Sequence, residues 1–227
     1  MSIFPARWPV QHPDRLQLYS LATPNGQKAG IVLEELELEY EPHLVNIMEN
    51  HQFDDDYVAI NPNSKIPVLI DPSGPGGEPL ALMESGAILI HLARKAGRLI
   101  PTDPRGELET LQWMFFQVGH VGPMFGQFGH FYKFAKGKTD AYGEQRYGKE
   151  VTRLLGVLDG HLAGRQWLVG DQFTIADIMT VPWVNSLDFY EGKDFVEYGR
   201  FRHVHAWVER FMARPGVQRG VKVLAPS

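Results

Sequence analysis

The sequence predicts an α/β plus all-α protein, in which a mixed sheet with the element order βαβ-ββα precedes an all-helical domain. Short apolar runs separated by proline and glycine breaks dominate the first part of the chain and indicate strands. Beyond residues 98–106, strand signals fade and apolar residues recur at the spacing of one helix face. The length of 227 residues is suited to two domains with sizeable cores.

In the first domain, residues 16–21 form an apolar run that indicates a strand. A helix is expected after the break at residues 23–26, where one helical face carries Ala29, Val32, Leu33 and Leu36. Three further strands are expected in "YEPHLVN", "KIPVLID" and "EPLALM", with residues 72–77 as a hairpin loop between the last two. The helix "ESGAILIHLARKAG" then ends at Gly97, as glycine commonly ends helices.

In the second domain, residues 105–135 have a mostly helical pattern, with a kink or break expected at Gly122-Pro123. A strong amphipathic helix is marked by Val151, Leu154, Leu155, Leu158 and Leu162. In "FTIADIMTVPWVNSL", Thr174 and Asp177 predict a capping box at the start of another helix. A last helix is marked by Phe201, Val204, Val208 and Phe211.

These patterns divide the chain into four segments. Residues 1–15 are expected to form an extended N-terminal arm, and residues 16–97 the mixed α/β domain. Residues 98–104 form a proline-punctuated linker, and residues 105–227 the all-helical domain.

Composition excludes several classes of function. A formal net charge of −5 with scattered basic residues argues against nucleic acid as a partner. The apolar runs are too short to span a membrane. The chain contains no cysteine, which excludes disulfides, thiolate metal sites and a cysteine nucleophile, and fits a cytoplasmic enzyme. The histidines lack ligand spacing, since His203 and His205 point to different sides of a helix, so we predict no metal site.

The stretch "NSKIPVLID" places a proline at the start of an expected strand. The Ile66-Pro67 bond is a candidate cis peptide, although such bonds taken alone are mostly trans. A cis bond would turn the main chain of Ile66 outward, so that it pairs with an extended peptide ligand like an added strand. The alternative is an ordinary trans proline on an edge strand.

The stretch "ESGA" combines a carboxylate with the start of a helix. Ser85 stands where the helix begins, and helix N-termini bind anions through unpaired N–H groups and the helix dipole. Glu84 adds an acceptor for an ammonium group, so the pair suits an amino-acid zwitterion. The alternative is a plain N-cap serine beside a surface glutamate.

Taken together, the element order and these motifs resemble the glutathione transferase superfamily over residues 16–220. The stretches "TPNG", "NPNSKIP", "ESGAIL", "LQWMFFQVGHVGPMFGQ" and "IADIMTVPWVN" are most similar to its bacterial nu class of glutathione-dependent disulfide-bond reductases. The resemblance implies a thioredoxin-like N-terminal domain, a helical C-terminal domain and a homodimer. It also implies glutathione as substrate or co-substrate, with one or two molecules per site.

The resemblance gives the stretch "SLATPNGQK" a role in thiol activation. A free thiol titrates near 8.5, so the thiolate needs a hydrogen-bond donor and a positive potential. Thr23 and Asn25 are the expected catalytic residues, because they supply these donors at a helix N-terminus, and Pro24 stiffens the turn. Two alternatives remain: Thr23 and Asn25 only cap the helix, or Ser20, and less so Tyr19, activates the thiol.

The resemblance also places the rest of the ligand. The main chain of Ile66, followed by Pro67, pairs with the cysteinyl residue, and Glu84 and Ser85 hold the γ-glutamyl end. Gln52 and Lys65 are expected near the glycine carboxylate, with a solvated surface lysine as the alternative for Lys65. Residues for a second substrate or second glutathione are expected in the helical domain, namely Gln127, His130, Arg146 and Tyr147. Core or dimer contacts, and a solvated arginine, are the competing interpretations there.

Three functions follow from this reasoning. The first is glutathione-dependent reduction of small or mixed disulfides. The second is conjugation of glutathione to electrophiles. The third is a non-catalytic glutathione-binding regulator.

Overall fold

The computed structural model describes residues 3–138 and 140–225. Contacts divide the chain into two compact units. The first contains the chain up to Arg98 together with the segment that begins at Pro215, and the second runs from Leu99 to Arg214.

The first unit is built on a four-stranded sheet with the order β2-β1-β3-β4. Strands β1 and β2 run parallel, whereas β3 is antiparallel to both β1 and β4. The strands are β1 Leu16–Ser20, β2 Tyr40–Leu44, β3 Val68–Asp71 and β4 Leu80–Met83. The helices of this unit are α1 Pro24–Leu36, α2 Asp55–Ile60, α3 Ser85–Ala96 and α9 Pro215–Gly220. This arrangement confirms the predicted mixed sheet and its βαβ-ββα order.

The C-terminal segment differs from the predicted domain boundaries. Helix α9 packs on α1 rather than in the helical unit. The backbones approach closely at two glycines, since a Cβ on Gly220 would lie 2.4 Å from the Cα of Ile31 and one on Gly30 would lie 2.6 Å from the Gly220 carbonyl oxygen. Arg219 adds an ion pair to Glu34 at 2.6 Å. No local sequence pattern predicts that the C-terminal segment returns to the first unit, because this return depends on a tertiary contact.

The N-terminal segment also departs from the expected extended arm. Trp8 is buried in one core of the first unit, where its ring meets Tyr19 and Tyr57 edge-on at centroid distances of 5.9 Å. Its indole N–H donates to the carbonyl of Leu44 at 2.8 Å. Arg7 pairs with Asp54 at 2.7 Å. The described part of the arm is therefore integrated into the sheet domain.

A buried carboxylate links the sheet to α3. Asp71, at the end of β3, is 1% exposed and accepts hydrogen bonds from Lys95 at 2.7 Å and from the main chain of Ser73 at 2.9 Å. The Nε2 atom of His91 lies 2.7 Å from the same carboxylate. Burial alone would raise the pKa of Asp71, but these partners outweigh burial and hold the pKa below its ordinary value.

The second unit is helical, as predicted. Its helices are α4 Pro104–Phe116, α5 Gly122–Gly129, α6 Tyr142–Leu162, α7 Ile175–Tyr190 and α8 Arg202–Met212. A kink or break was expected at Gly122-Pro123, and the structure has a π-helical turn immediately before it, over Gln117–Val121, after which α5 begins with a proline in its first turn. The predicted capping box is present, with the Thr174 side chain and the Asp177 carboxylate each bonded to main-chain N–H groups. Within the described part of the chain, no helix is both long enough and apolar enough to cross a bilayer.

We expect Asp71→Asn to lower the free energy of unfolding at pH 7 by about 1–3 kcal/mol, because an amide replaces one acceptor oxygen with a donor that faces other donors. Denaturant titration measures this change. The exposed Asp14→Asn is the matched control. Since the folded-state pKa of Asp71 lies below the unfolded value, the stabilisation is present above that value and is lost as pH falls through the folded pKa. The free energies of unfolding of wild type and Asp71→Asn should therefore converge in acid. Equal stability of the two proteins at pH 7 would contradict the assignment.

Candidate functional site

The turn that joins β1 to α1 is closed by a tight backbone contact. Thr23 is the N-cap of α1, and its Oγ1 accepts from the N–H of Gly26 at 3.3 Å. Pro24 is the first helical residue, where the missing N–H costs nothing. A Cβ on Gly26 would lie 1.8 Å from the carbonyl oxygen of Leu21, so only glycine fits this position. The start of α1 is therefore held against the end of β1.

Capping and thiol binding are compatible at Thr23. Its hydroxyl oxygen accepts from Gly26 as a cap, and a hydroxyl that accepts one hydrogen bond still carries a proton to donate. The hydroxyl also lies at the N-terminus of a 13-residue helix, where the dipole favours a negative charge. The two sequence-based interpretations of Thr23 are therefore compatible in one side chain.

Asn25 and Ser85 are brought together by Lys28, which sequence reasoning did not select. The Nζ atom of Lys28 donates to Oδ1 of Asn25 at 2.8 Å and lies 3.5 Å from Oγ of Ser85. Lys28 is 1% exposed, and this burial, partly offset by the charge of Glu84, lowers its pKa to about 7. One signal was available in the sequence. Lys28 stands four residues before Val32, on the face of α1 that was predicted to be apolar.

The start of α3 differs in detail from a plain serine cap. Glu84 occupies the N-cap position without a side-chain cap, and Ser85 is the first helical residue. The Ser85 side chain is buried, whereas Glu84 is exposed. Glu84 adopts φ +70° and ψ 115°, which L-residues rarely adopt and which is often found where function constrains the backbone.

The loop before β3 carries three of the residues predicted to bind the ligand, namely Lys65, Ile66 and Pro67. The Ile66-Pro67 peptide bond is cis. The pairing of β3 begins at Val68, so Ile66 lies before the paired residues of the strand. The Lys65 side chain is exposed, while its carbonyl accepts from Tyr57 at 2.8 Å and from Asn61 at 2.6 Å. These two bonds fix the main chain immediately before Ile66.

Gln52 lies in a short 3₁₀ turn, His51–Phe53, between β2 and α2. Its Oε1 atom is buried and has no hydrogen-bond partner among the residues that the structure describes. A buried amide oxygen normally has a partner, so this group is suited to an additional ligand.

The two alternative thiol activators occupy buried positions. Tyr19 is fully buried and stacks on His43 at a centroid distance of 4.5 Å. Burial raises the pKa of its hydroxyl, with a smaller contribution from Glu41. Ser20 is 2% exposed, and its hydroxyl faces the Leu21 carbonyl at 3.4 Å. Thr23 and Asn25, by contrast, are only half-buried.

The residues expected to contact a second substrate belong to the helical unit. Phe131 meets the ring of His130 edge-on at 5.2 Å and stacks on Tyr147 at 5.5 Å. His130 begins a second π-helical turn, His130–Phe134. Gln127 and Arg146 are exposed. The structure thus brings His130 and Tyr147 to one aromatic ring.

Among the described residues, no group of three or more histidine, aspartate or glutamate side chains has the arrangement of a metal site.

Comparisons with known proteins agree with this architecture. The family model for the N-terminal domain of glutathione S-transferase matches residues 14–94, and the C-terminal model matches residues 111–215. The Escherichia coli disulfide-bond oxidoreductase YghU is 41% identical over 219 residues, which cover 92% of this chain and 74% of YghU.

Solved structures are also similar over nearly the whole chain. A glutathione transferase family member from Pseudomonas fluorescens, with two glutathione molecules bound, superposes with a TM-score of 0.96 at 48% identity, covering 98% of this chain and 100% of the other. A glutathione transferase from Pseudomonas putida, with one glutathione disulfide bound per subunit, superposes with a TM-score of 0.94 at 48% identity. The match covers 96% of this chain and 95% of the other. Because both family models match in order, and relatives agree over nearly the full length, this chain belongs to the glutathione S-transferase family.

Proposed function

We propose that this protein is a glutathione-dependent disulfide-bond reductase of the nu-class type, which acts on small or mixed disulfides through a stabilised glutathione thiolate. The observation that carries this proposal is the turn at the start of α1, where Thr23 and Asn25 stand at a helix N-terminus. The similarity to YghU supports the reaction type.

The chain must take its reactive sulfur from a ligand, because it contains no cysteine. One glutathione thiolate attacks the substrate disulfide, which forms a mixed disulfide and releases one substrate thiolate. A second glutathione thiolate then attacks the glutathione sulfur of that mixed disulfide. The second attack forms glutathione disulfide and releases the other substrate thiolate. Two glutathiones are thus oxidised for each disulfide reduced.

The turn can supply enough energy for thiol activation. Lowering a thiol pKa by one unit requires about 1.4 kcal/mol of preferential thiolate stabilisation. A hydrogen bond to a charged group contributes roughly 1.5–3 kcal/mol. One hydroxyl or amide donor, together with the dipole of α1, is therefore sufficient to increase the thiolate fraction at neutral pH.

The remaining contacts follow the direction of the tripeptide. The main chain of Ile66, beside Pro67, pairs with the cysteinyl residue as an added strand would. Glu84 accepts from the γ-glutamyl ammonium group, while Ser85 and the first N–H groups of α3 donate to the γ-glutamyl carboxylate. The unusual backbone of Glu84 supports its place in the site.

Lys65 and Gln52 are assigned to the glycine end. Lys65 is exposed and carries a positive charge that a carboxylate can approach. Gln52, whose Oε1 atom has no partner among the described residues, is assigned to the same end, because rotating an amide by half a turn exchanges its oxygen for its N–H₂ donor.

The second molecule, either a glutathione or the disulfide substrate, is assigned to Gln127, His130, Arg146 and Tyr147. Arg146 is exposed and has the fork geometry that pairs with a carboxylate through two hydrogen bonds. The ring of Tyr147, which packs on Phe131, gives that region an apolar wall. This assignment is based on the chemistry of these side chains and on contacts within the helical unit alone.

We place the reductase in the cytoplasm, where glutathione keeps thiols reduced, and infer that it acts as a homodimer. Leu108 and Phe115, seven residues apart on α4, are 68% and 70% exposed. Residues at this spacing share one helix face, and a large exposed apolar pair is typical of a surface that a second copy covers.

The first prediction concerns the reaction type. We expect turnover of a small disulfide, such as hydroxyethyl disulfide, with a kcat/KM well above that for an aryl halide in the same glutathione buffer. Glutathione disulfide formation, followed by a coupled reductase, measures the first reaction, and absorbance of the conjugate measures the second. A faster reaction with the aryl halide would favour conjugation. Glutathione affinity without turnover of either substrate would favour a binding protein.

The second prediction concerns Thr23. We expect Thr23→Val, which keeps the side-chain shape, to lower kcat/KM for hydroxyethyl disulfide by about 10–100-fold, since a charge-assisted hydrogen bond is lost. Thr23→Ser keeps the hydroxyl and should retain most of the activity. Circular dichroism confirms that each variant is folded. Full activity of Thr23→Val would reject the role of this hydroxyl.

The third prediction concerns assembly. We expect Phe115→Glu to convert a dimer to a monomer in light scattering, because a buried unpaired carboxylate is costly at an interface. Tyr142→Glu, on an equally exposed residue of α6, is the control and should remain dimeric. A Phe115→Glu protein that stays dimeric would place the interface elsewhere.

A further inference from the structure

Lys28 is a buried lysine in a position where the fold alone does not require one. Its side chain is 1% exposed on a helix whose other buried residues are mostly apolar. Burying an ammonium group is costly unless it is well hydrogen-bonded. Two of its partners, Asn25 and Ser85, stand at the parts of the proposed glutathione site assigned to the cysteinyl sulfur and to the γ-glutamyl group. Such a placement suggests that the cost is retained for function.

The chemistry of lysine determines how Asn25 is oriented. An ammonium group has three donors and no acceptor, so the Asn25 atom that lies 2.8 Å from Nζ must be the carbonyl oxygen. The N–H₂ end of the amide is then on the side of the group away from Lys28. An asparagine whose amide could rotate freely would present an oxygen to the glutathione sulfur part of the time, and this would disfavour a thiolate.

The same logic applies to Ser85, although the contact is longer. A lone pair of Oγ faces Nζ at 3.5 Å, so the hydroxyl proton points in another direction. Ser85 is then a donor toward an incoming carboxylate. The Lys28 ammonium thereby orients both side chains as donors, Asn25 toward the sulfur and Ser85 toward the γ-glutamyl carboxylate.

We propose that Lys28 is a positioning residue, whose buried ammonium orients Asn25 and Ser85 so that both donate hydrogen bonds to anionic groups of glutathione. This inference rests on the proposed function, because it concerns the same site. Burial lowers the pKa of Lys28, and the charge of Glu84 partly offsets this effect in favour of the protonated form that the role requires.

The main test is Lys28→Met, which keeps the length of the side chain and removes its donors. The pKa of the thiol of bound glutathione, followed by the ultraviolet absorbance of the thiolate, should rise by about one unit, which is about tenfold less thiolate below the pKa. Glutathione affinity, measured by calorimetry, should weaken by about 2–10-fold through Ser85. Lys222→Met, on an exposed lysine of the same unit, should change neither quantity.

A second variant leaves Lys28 in place and tests the orientation of the amide. Asn25→Asp keeps an acceptor for the ammonium and gives it a carboxylate partner, so the thermal midpoint should not fall. The donor to the sulfur is lost, so the thiol pKa of bound glutathione should rise. This variant stays informative if Lys28→Met does not fold.

The absence of cysteine allows a chemical rescue of the same position. In a Lys28→Cys protein, alkylation of the single thiol with bromoethylamine in denaturant, followed by refolding, restores an ammonium on a chain of lysine length. The thiol pKa should return toward that of wild-type protein refolded in the same way, whereas the unalkylated variant should behave like Lys28→Met.

A merely structural lysine gives a different result. In that case, Lys28→Met would shift the thermal midpoint and leave the thiol pKa and affinity of bound glutathione at wild-type values, which would overturn the proposal. So would an unchanged thiol pKa in Asn25→Asp. These readouts use binding alone, so they are separate from the proposed function, which fails if the wild type binds glutathione but does not turn over disulfides.

Discussion

The proposed chemistry depends on how closely α1 begins at the end of β1. Gly26 lies against the Leu21 carbonyl with no space for a side chain, and its N–H donates to the Thr23 hydroxyl. These contacts place a hydroxyl, an amide and a helix N-terminus within four consecutive residues. Because the helix dipole and both donors act in the same region, a sulfur bound there would be stabilised as the anion.

Lys28 connects this turn to the start of α3, which ties the proposed sulfur site to the proposed γ-glutamyl site. The connection has a thermodynamic cost, since burial depresses the pKa of the ammonium to about 7. The destabilisation caused by this burial is complete below the folded pKa, and it is relieved as pH rises toward the pKa of the unfolded state. Buried polar groups that reduce stability are commonly found at functional sites. The same reasoning applies to the backbone of Glu84, which is held in a rarely populated region beside Ser85.

Much of the fold could be predicted from the sequence, because local patterns specify it. Alternation and turn residues predicted the four strands, the apolar stripe predicted α1, and Thr174 with Asp177 predicted the start of α7. What could not be predicted depends on contacts between distant residues. Trp8 enters a core whose other members come from three strands, α2 and the loops between them, and α9 returns to α1 after the whole helical unit. Glu35, a charged residue of α1, is buried because Gly216 of α9 lies against it. Ser85 was selected because a serine at a helix start beside Glu84 suits a zwitterion, whereas Thr23 and Asn25 were selected through the family resemblance of their turn. Lys28 was not selected, because a lysine is usually assigned to the surface. Its place on the apolar face of α1 was the one available signal, and the structure shows that it is buried.

The central claim is that the turn after β1 binds the glutathione sulfur. The most direct measurement is a crystal structure of this protein with glutathione, in which the distances from the sulfur to Thr23 Oγ1 and Asn25 Nδ2 are read. The account predicts that the sulfur lies within hydrogen-bond distance of at least one of them, with the γ-glutamyl carboxylate at Ser85. A tripeptide bound with its sulfur out of reach of both donors would contradict it.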